Sequence, residues 1–202
     1  MKQEDTKQKI LDKALELFSE YGYDSVSVGQ IAQAVGIKAP SLYNHFASKE
    51  ELVREIYLFL REKAKRDGNV SAFAAETLPD LPAEELLQTA TENYLRITES
   101  AEMQTFYKVL YSERTFSEIA AQILTEETEK MIGASAALLT ELQRRNLLSF
   151  ADVDTSAMSF ALTVHGMMDY FADRNLSKKD TAPSLPDCLQ KYIAVFCREH
   201  KR

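Results

Sequence analysis

The sequence contains few of the residues that interrupt helices or cross-link chains. Its 202 residues include six glycines, five prolines, two cysteines and no tryptophan. Glycine and proline are the strongest helix breakers, so their scarcity favours long uninterrupted helices. Cys188 and Cys197 are nine residues apart in a stretch of helical periodicity, which places them on opposite sides of one helix and about 13 Å apart along its axis. A disulfide bond between them is therefore excluded.

Long hydrophobic runs are also missing. No stretch approaches the roughly 18 consecutive apolar residues of a membrane-spanning helix. The opening residues 1–5 are polar and acidic and lack the apolar region of a signal peptide. We therefore expect a cytoplasmic protein that makes no contact with a membrane.

Patterns typical of catalysis and metal binding do not occur. The three histidines, His45, His165 and His200, lie in separate segments. There is no glycine-rich phosphate loop, no nucleophile elbow and no Cys/His cluster with metal spacing. The densest group of carboxylates, within residues 126–129, lies in one helical stretch and is expected to be a solvated face. We expect no enzyme activity, no cofactor and no metal site.

The charge is unevenly distributed along the chain. The formal net charge of -7 argues against a nucleic-acid partner, because neutralisation of phosphates supplies most non-specific binding. However, residues 1–66 contain 11 Lys and Arg against 10 Asp and Glu, whereas residues 67–202 contain 13 against 21. Any anion-binding surface is therefore expected in the first third of the chain.

Apolar residues recur at i, i+3, i+4 and i+7 along nearly the whole chain, which is the periodicity of amphipathic helices. The first such stripe covers residues 6–21 and ends at Gly22, a residue favoured after a helix. The pattern predicts an all-α fold. Longer helices after the first are predicted at about 48–66, 83–98, 116–145, 152–174 and 185–197.

Residues 27–49 contain two short predicted helices. The first begins after Ser27, which forms a Ser-x-x-Gln capping box with Gln30, and it ends at Gly36, where positive φ is accessible. The second covers about residues 40–46. Apolar residues stand where these helices face each other and the first helix, which is the pattern of a helix-turn-helix. Those residues are Ile31, Ala32, Val35, Ile37 and Leu42.

An ordered set of motifs between residues 6 and 57 carries a family resemblance. The motifs are Ile31-Ala32, Val35-Gly36-Ile37, Ser41-Leu42-Tyr43-Asn44-His45-Phe46 and Ser48-Lys49-Glu50-Glu51-Leu52. Together they resemble the signature of the tetracycline-repressor (TetR) family of transcriptional regulators.

The resemblance implies both an architecture and a function. It implies a helix-turn-helix DNA-binding domain in residues 1–49, a connecting fourth helix at about 48–66, and a helical ligand-binding and dimerisation domain in residues 67–202. The implied function is that of a homodimeric transcriptional regulator that binds operator DNA. It would act as a repressor that a small, largely apolar effector releases from the operator. The two helix-turn-helix units of such a dimer would address two half-sites.

The resemblance also implies which residues contact DNA. Those expected at the phosphate backbone are Ser27, Tyr43 and Lys49. Those expected at base edges in the major groove are Lys38, Ala39, Ser41 and Leu42, with His45 at either a base or a phosphate.

Some of these residues have an alternative interpretation. The ring of Tyr43 can pack on the first helix, Ser27 is in any case a helix cap, and His45 can be a solvated side chain. Lys38 stands where the family commonly has Ser or Thr as the cap of the recognition helix. The sequence therefore predicts a recognition helix without a side-chain cap.

The second region gives weaker signals. Residues 158–171 are apolar nearly all round, which indicates burial from more than one side. The resemblance implies that the last two helices form a four-helix bundle between subunits, and the candidate interface residues are Met167, Phe171, Leu185, Leu189, Tyr192 and Phe196. The candidates for a ligand pocket are Tyr94, Met103, Phe106, Tyr107, Tyr111 and His165, for which the alternative is ordinary core.

One other function fits the same pattern. A helical adaptor protein would use the three-helix unit to bind another protein instead of DNA. The placement of Lys38, Tyr43 and Lys49 on one predicted surface favours DNA, whose phosphates these side chains recognise.

Overall fold

The computed structural model describes residues 2–67, 78–98, 100–177 and 183–201, and all regular structure in these ranges is helical. The all-α prediction is thereby confirmed. None of these helices is long and apolar enough to cross a membrane. The helices are α1 (Lys2–Tyr21), α2 (Val28–Val35), α3 (Ala39–Tyr43), α4 (Lys49–Asp67), α5 (Ala83–Thr98), α6 (Ala101–Glu113), α7 (Glu118–Arg144), α8 (Val153–Leu176) and α9 (Leu185–Glu199).

Local capping interactions fix several helix ends. Ser27 donates its backbone N–H to Oε1 of Gln30 at 2.7 Å, and its Oγ accepts the Gln30 backbone N–H at 3.2 Å, which confirms the predicted capping box. Gly36 ends α2 with a φ of 81°, as the turn requires. Asp152 caps α8 by accepting the N–H of Thr155 at 2.9 Å.

The chain divides into two compact units, each with its own apolar core. The first contains α1 to α4, α6 and the part of α7 up to Thr125. Helix α1 packs against α2, α4 and α6. The large side chains with less than 2 % exposure in this core include Ile10, Ile31, Leu42, Phe46, Leu52, Ile56, Tyr57, Met103, Phe106, Leu110 and Ile123.

The domain boundary predicted near residue 66 differs from this division. Helix α6, which the prediction assigns to the second domain, packs against α1 and α4 and contributes Met103 and Phe106 to the first core. The ring of Phe106 stacks on that of Tyr57, with 6.4 Å between centroids. Residues 68–77, just after the predicted boundary, lie outside the described residues.

The second unit contains α5 up to Leu95, α7 from Glu126, and helices α8 and α9. Aromatic rings occupy one part of its core: the centroid of Phe196 lies 5.0 Å from that of Phe160 and 4.4 Å from that of His200. The contact between Phe160 and Phe196 joins α8 to α9. Cys188 and Cys197 on α9 are free thiols, and burial raises the pKa of Cys197 to about 11.

A cluster of charged side chains lies at the C-terminal end of α7. The carboxylate of Glu141 accepts hydrogen bonds from the guanidinium groups of Arg144 at 2.6 Å and Arg145 at 2.7 Å. These bonds hold the pKa of Glu141 at about 2. Arg145 also donates to the carbonyl oxygens of Leu78 and Pro79, at 3.0 and 3.1 Å, and so binds the segment before α5 to the end of α7.

One expectation about α7 is wrong. Glu127 was expected on a solvated face, but it is 3 % exposed, whereas its neighbour Glu129 is exposed. The ammonium group of Lys130 lies 3.8 Å from the Glu127 carboxylate. The helical turn directs Glu127 inward and Glu129 outward, which a simple count of acidic residues does not reveal.

Candidate DNA-binding interface

The orientation of α3 is fixed by apolar contacts with the rest of the first unit. Leu42 on α3 and Phe46 just after it are each 1 % exposed and belong to the same core as Ile31 of α2 and Ile10 of α1. Since α3 has only five residues, this anchoring determines which of them face outward. The outward face is the candidate recognition surface.

Most of the residues predicted to contact DNA are exposed or half-buried on this outward side. Tyr43 is 54 % exposed, and Lys38 is exposed. Ala39, Ser41 and His45 are half-buried. The ring of Tyr43 is thus largely available to a ligand, which favours its role at DNA over the alternative of packing on the first helix.

Leu42 requires a correction. It was expected to meet base edges in the major groove, but with 1 % exposure it has no surface for such a contact. Its position on the inner side of α3 makes it part of the core that anchors the helix. The candidate base-contacting residues are therefore Lys38, Ala39 and Ser41.

Ser27 combines a capping role with an exposed position at the start of α2. Besides the two bonds of the capping box, its hydroxyl donates to Oε1 of Gln30 at 2.8 Å. Ser27 is exposed together with Gly29 and Gln30 in the first turn of α2, whose positive helix end attracts anions. The predicted cap is confirmed, and a phosphate contact remains a prediction.

Lys49 is the first residue of α4 and lies over aromatic rings. Its ammonium nitrogen is 3.9 Å from the centroid of Tyr23 and 5.8 Å from that of Phe18. Burial lowers the pKa of Lys49, and this effect is opposed by the nearby carboxylates of Asp24, Glu50 and Glu113. The aromatic platform is a feature that the sequence motif did not predict.

The start of α3 lacks a side-chain cap, as predicted. Lys38 occupies the N-cap position with extended backbone, and its side chain makes no capping hydrogen bond. Its carbonyl oxygen accepts the N–H groups of Ser41 at 2.8 Å and Leu42 at 3.4 Å, and Pro40 lies within the first turn. Proline supports this turn through its fixed φ.

The predicted ligand-binding residues fall in two different units. Met103, Phe106, Tyr107 and Tyr111 belong to the first unit, whereas Tyr94 and His165 belong to the second. Met103 and Phe106 are buried in the first core, which matches the alternative of ordinary core for these two. The half-buried Tyr94, Tyr107, Tyr111 and His165 remain candidates.

Half of the residues predicted at the dimer interface are buried within their own subunit. Leu189 and Phe196 belong to the core of the second unit, which corrects the expectation for these two, and Phe171 is 6 % exposed. Leu189 and Phe196 are buried because the apolar stripe of α9 packs on α8 of the same subunit. The remaining candidates, which are half-buried at the edge of that core, are Met167, Leu185 and Tyr192.

The structure reveals an exposed apolar stripe that was not assigned to the interface. On α8, Met158, Leu162 and Tyr170 are 50 %, 47 % and 60 % exposed, and they follow one another at multiples of four residues. On α9, Val195 is 37 % exposed. The apolar character of residues 158–171 signalled these positions, but only packing separates the inner face from the outer one.

Within the described residues, no group of three or more His, Cys, Asp or Glu side chains is arranged to hold a metal ion.

The missing cap of α3 leads to a stability prediction. We expect Lys38→Ser to raise the free energy of unfolding by about 1 kcal/mol relative to Lys38→Ala, because only serine can accept a backbone N–H of the first turn. Urea denaturation of the two variants measures the difference. Since both lack the lysine charge, equal stabilities would show that the backbone and Pro40 already satisfy this helix end.

The helix-turn-helix segment is similar to known regulatory proteins. Residues 10–56 match the family model described as bacterial regulatory proteins, tetR family. Over 49 residues the chain is 49% identical to the biofilm operon icaADBC negative transcriptional regulator IcaR of Staphylococcus epidermidis, and over 54 residues it is 48% identical to the transcriptional regulator AcrR of Shigella flexneri. These matches cover 24% and 27% of this chain and 26% and 25% of the two relatives.

The similarity of fold extends over the rest of the chain. The structure of the flavonoid-responsive regulator FrrA superposes with a TM-score of 0.73 at 22% sequence identity, and the match covers 98% of this chain and 97% of that one. Residues 10–56, which match the family model, contain both helices of the helix-turn-helix, α2 and α3. The similarity to the tetR family of bacterial regulatory proteins thus covers residues 10–56, and the rest of the chain shares the fold of FrrA.

Proposed function

We propose that this protein is a sequence-specific transcriptional regulator that binds operator DNA as a homodimer in the cytoplasm. The observation that carries the proposal is the outward face of α3, where Lys38 and Tyr43 are exposed because Leu42 is anchored in the core. A five-residue helix held in this way presents side chains of the types that meet phosphates and base edges.

The contacts divide into two groups by chemistry. Ser27, Tyr43 and Lys49 offer two hydroxyls and an ammonium group to the phosphate backbone, which sets the position of α3 in the major groove. Lys38 can donate to guanine O6 and N7, while Ala39 and Ser41 are small enough for close contact with base edges. His45, beside the ring of Phe46 at 6.3 Å between centroids, stands where α3 ends and is assigned to either group.

The charge balance supports binding through a few placed groups. Residues 1–66 carry almost no net charge, whereas residues 67–202 are acidic. A general attraction to DNA is therefore weak, and affinity comes from specific contacts that a homodimer doubles. Repression is the proposed direction of control, because IcaR, one of the relatives matched over this segment, is named as a negative regulator.

The proposed DNA contacts predict the behaviour of a double variant. Tyr43→Ala with Lys49→Ala should weaken operator binding by more than about 100-fold, because each subunit of the dimer loses two phosphate contacts. The assay is fluorescence anisotropy with genomic fragments selected by the purified wild-type protein, at two salt concentrations. Sedimentation should show that the variant remains folded and dimeric.

The matched control removes the same groups elsewhere in the first unit. Tyr21 is 56 % exposed, close to the value for Tyr43, and Lys108 is an exposed lysine on α6. Tyr21→Ala with Lys108→Ala should retain wild-type affinity. Equal losses in the two double variants, or wild-type binding without salt dependence, would refute the proposed interface and favour an adaptor.

The exposed stripe on α8 is the proposed centre of the dimer interface. Met158, Leu162 and Tyr170 share one helix with Gly166, which is exposed and has open space beside its Cα. A small residue between larger apolar ones lets a second helix approach closely. Two copies of this stripe, with Val195 of α9 beside them, would form an interface in which both subunits use the same surface.

This interface predicts a monomeric variant. Leu162→Glu should shift the protein from dimer to monomer at micromolar concentration, since a carboxylate would be buried there without a partner. Analytical ultracentrifugation measures the shift. Leu58→Glu is the matched control, because Leu58 on α4 is 46 % exposed and Leu162 47 %. A dimeric Leu162→Glu variant would remove α8 from the interface.

We propose a small, largely apolar effector. The support is the pair of half-buried tyrosines in the first unit, Tyr107 and Tyr111, which combine rings with hydroxyl groups as ligand sites commonly do. Tyr94 and His165 are separate candidates in the second unit. The rings of Tyr107 and Tyr111 lie 6.4 Å apart between centroids. FrrA, which has the same fold, is named as flavonoid-responsive.

A thermal-shift screen tests the effector proposal. At least one compound from a panel of small apolar or weakly polar molecules, flavonoids included, should raise the melting temperature of the dimer, because a ligand at 100 times its Kd stabilises by about 2.7 kcal/mol. The Tyr43→Ala, Lys49→Ala variant should show the same shift, since its changes lie at the DNA interface. A panel without any stabilising compound would contradict the proposal.

A further inference from the structure

Lys49 lies in an aromatic cradle that belongs to a different part of the helix-turn-helix unit. The cradle consists of Phe18, near the end of α1, and Tyr23, in the turn after it, whose ring centroids are 5.3 Å apart. Tyr23 is only 7 % exposed and Phe18 2 %, so both rings are held by the core. The ammonium nitrogen of Lys49 is 3.9 Å from the Tyr23 centroid, well within the range of a cation–π interaction.

The same tyrosine is linked to the neighbouring residue of α4. Its hydroxyl donates a hydrogen bond to Oε1 of Glu50 at 3.3 Å. Burial, together with the Glu50 carboxylate, raises the pKa of Tyr23, so the hydroxyl keeps its proton and acts as a donor. Tyr23 thus contacts both of the first two side chains of α4, one through its ring and the other through its hydroxyl.

Lys49 needs such support because of its position. The N-terminus of a helix carries a partial positive charge, which repels a lysine in the first turn. A free lysine also has four side-chain torsions to order before it can hold a phosphate. A ring face that attracts the ammonium group reduces both costs, since the side chain is placed before DNA arrives.

We propose that Tyr23 is a positioning residue for DNA binding, which holds the Lys49 ammonium group over its ring in the place where a backbone phosphate docks. The inference rests on the proposed function, because it assigns Lys49 to the phosphate. Tyr23 itself, being buried, does not contact DNA. Its contribution is to order Lys49 through its ring, which the core holds in place.

The DNA-binding test compares variants by the salt dependence of their affinity. Removal of one phosphate contact per subunit lowers the slope of log K against log salt by about 0.9 each, or about 1.8 per dimer. We expect Lys49→Ala and Tyr23→Leu each to lower the slope by this amount. In the Lys49→Ala background, Tyr23→Leu should not lower the slope further. Tyr23→Phe, which keeps the ring, should retain the wild-type slope.

Two further variants separate positioning from folding. Tyr23→4-cyanophenylalanine keeps an aromatic ring of similar size but removes the negative ring face. It should therefore lower the salt slope as Tyr23→Leu does, and it provides the test if Tyr23→Leu is unstable. Tyr57→Leu removes a ring from the same core away from Lys49 and should leave the slope unchanged. A wild-type slope for the cyano variant would overturn the proposal.

A measurement without DNA distinguishes this inference from the proposed function. In NMR spectra of the free dimer, the Hε resonances of Lys49 should be shifted upfield by the Tyr23 ring, and the shift should persist in Tyr23→Phe and disappear in Tyr23→Leu. An unshifted wild-type resonance would overturn the positioning role. The other result is a shifted resonance together with a DNA affinity that Lys49→Ala leaves unchanged. That combination would overturn the assignment of Lys49 to a phosphate, and with it the positioning role of Tyr23.

Discussion

The burial of Leu42 is the constraint on which the proposed DNA-binding site depends. A helix of five residues has no stability of its own, since nucleation alone costs more than its few hydrogen bonds return. Leu42, with Phe46 just beyond the helix, anchors α3 to the core formed by α1 and α2. This anchor determines that Tyr43 and Lys38 face outward, and the absence of a side-chain cap at Lys38 is tolerable because tertiary packing holds the helix.

In the first unit the positions of individual charged side chains matter more than the net charge. Its helix-turn-helix segment is almost neutral, and even Lys49 is surrounded by the carboxylates of Asp24, Glu50 and Glu113. In such a setting a lysine serves a phosphate best where its ammonium group is already held in place. The ring of Tyr23 provides this placement and connects the turn after α1 to the start of α4.

Features encoded by neighbouring residues could be predicted from the sequence, and features created by distant packing could not. The capping box at Ser27, the positive φ of Gly36 and the uncapped start at Lys38 are all local, so the sequence motif sufficed. Leu42 was assigned both to the core and to the DNA, and only its packing decided between them. Residues 158–171 of α8 were predicted to be buried from more than one side, but which positions face outward depends on how α9 covers that helix. The joining of α6 to the first unit is a long-range contact without a local signal.

The most direct measurement is a hydroxyl-radical footprint of the wild-type protein on a genomic fragment that it selects. A homodimer that reads DNA with two α3 helices should protect two patches related by two-fold symmetry, with centres separated by about one helical turn, or 34–36 Å, or by a multiple of that distance. Both patches should disappear together as salt is raised. A single patch, uniform protection, or no protection at low salt would contradict the account.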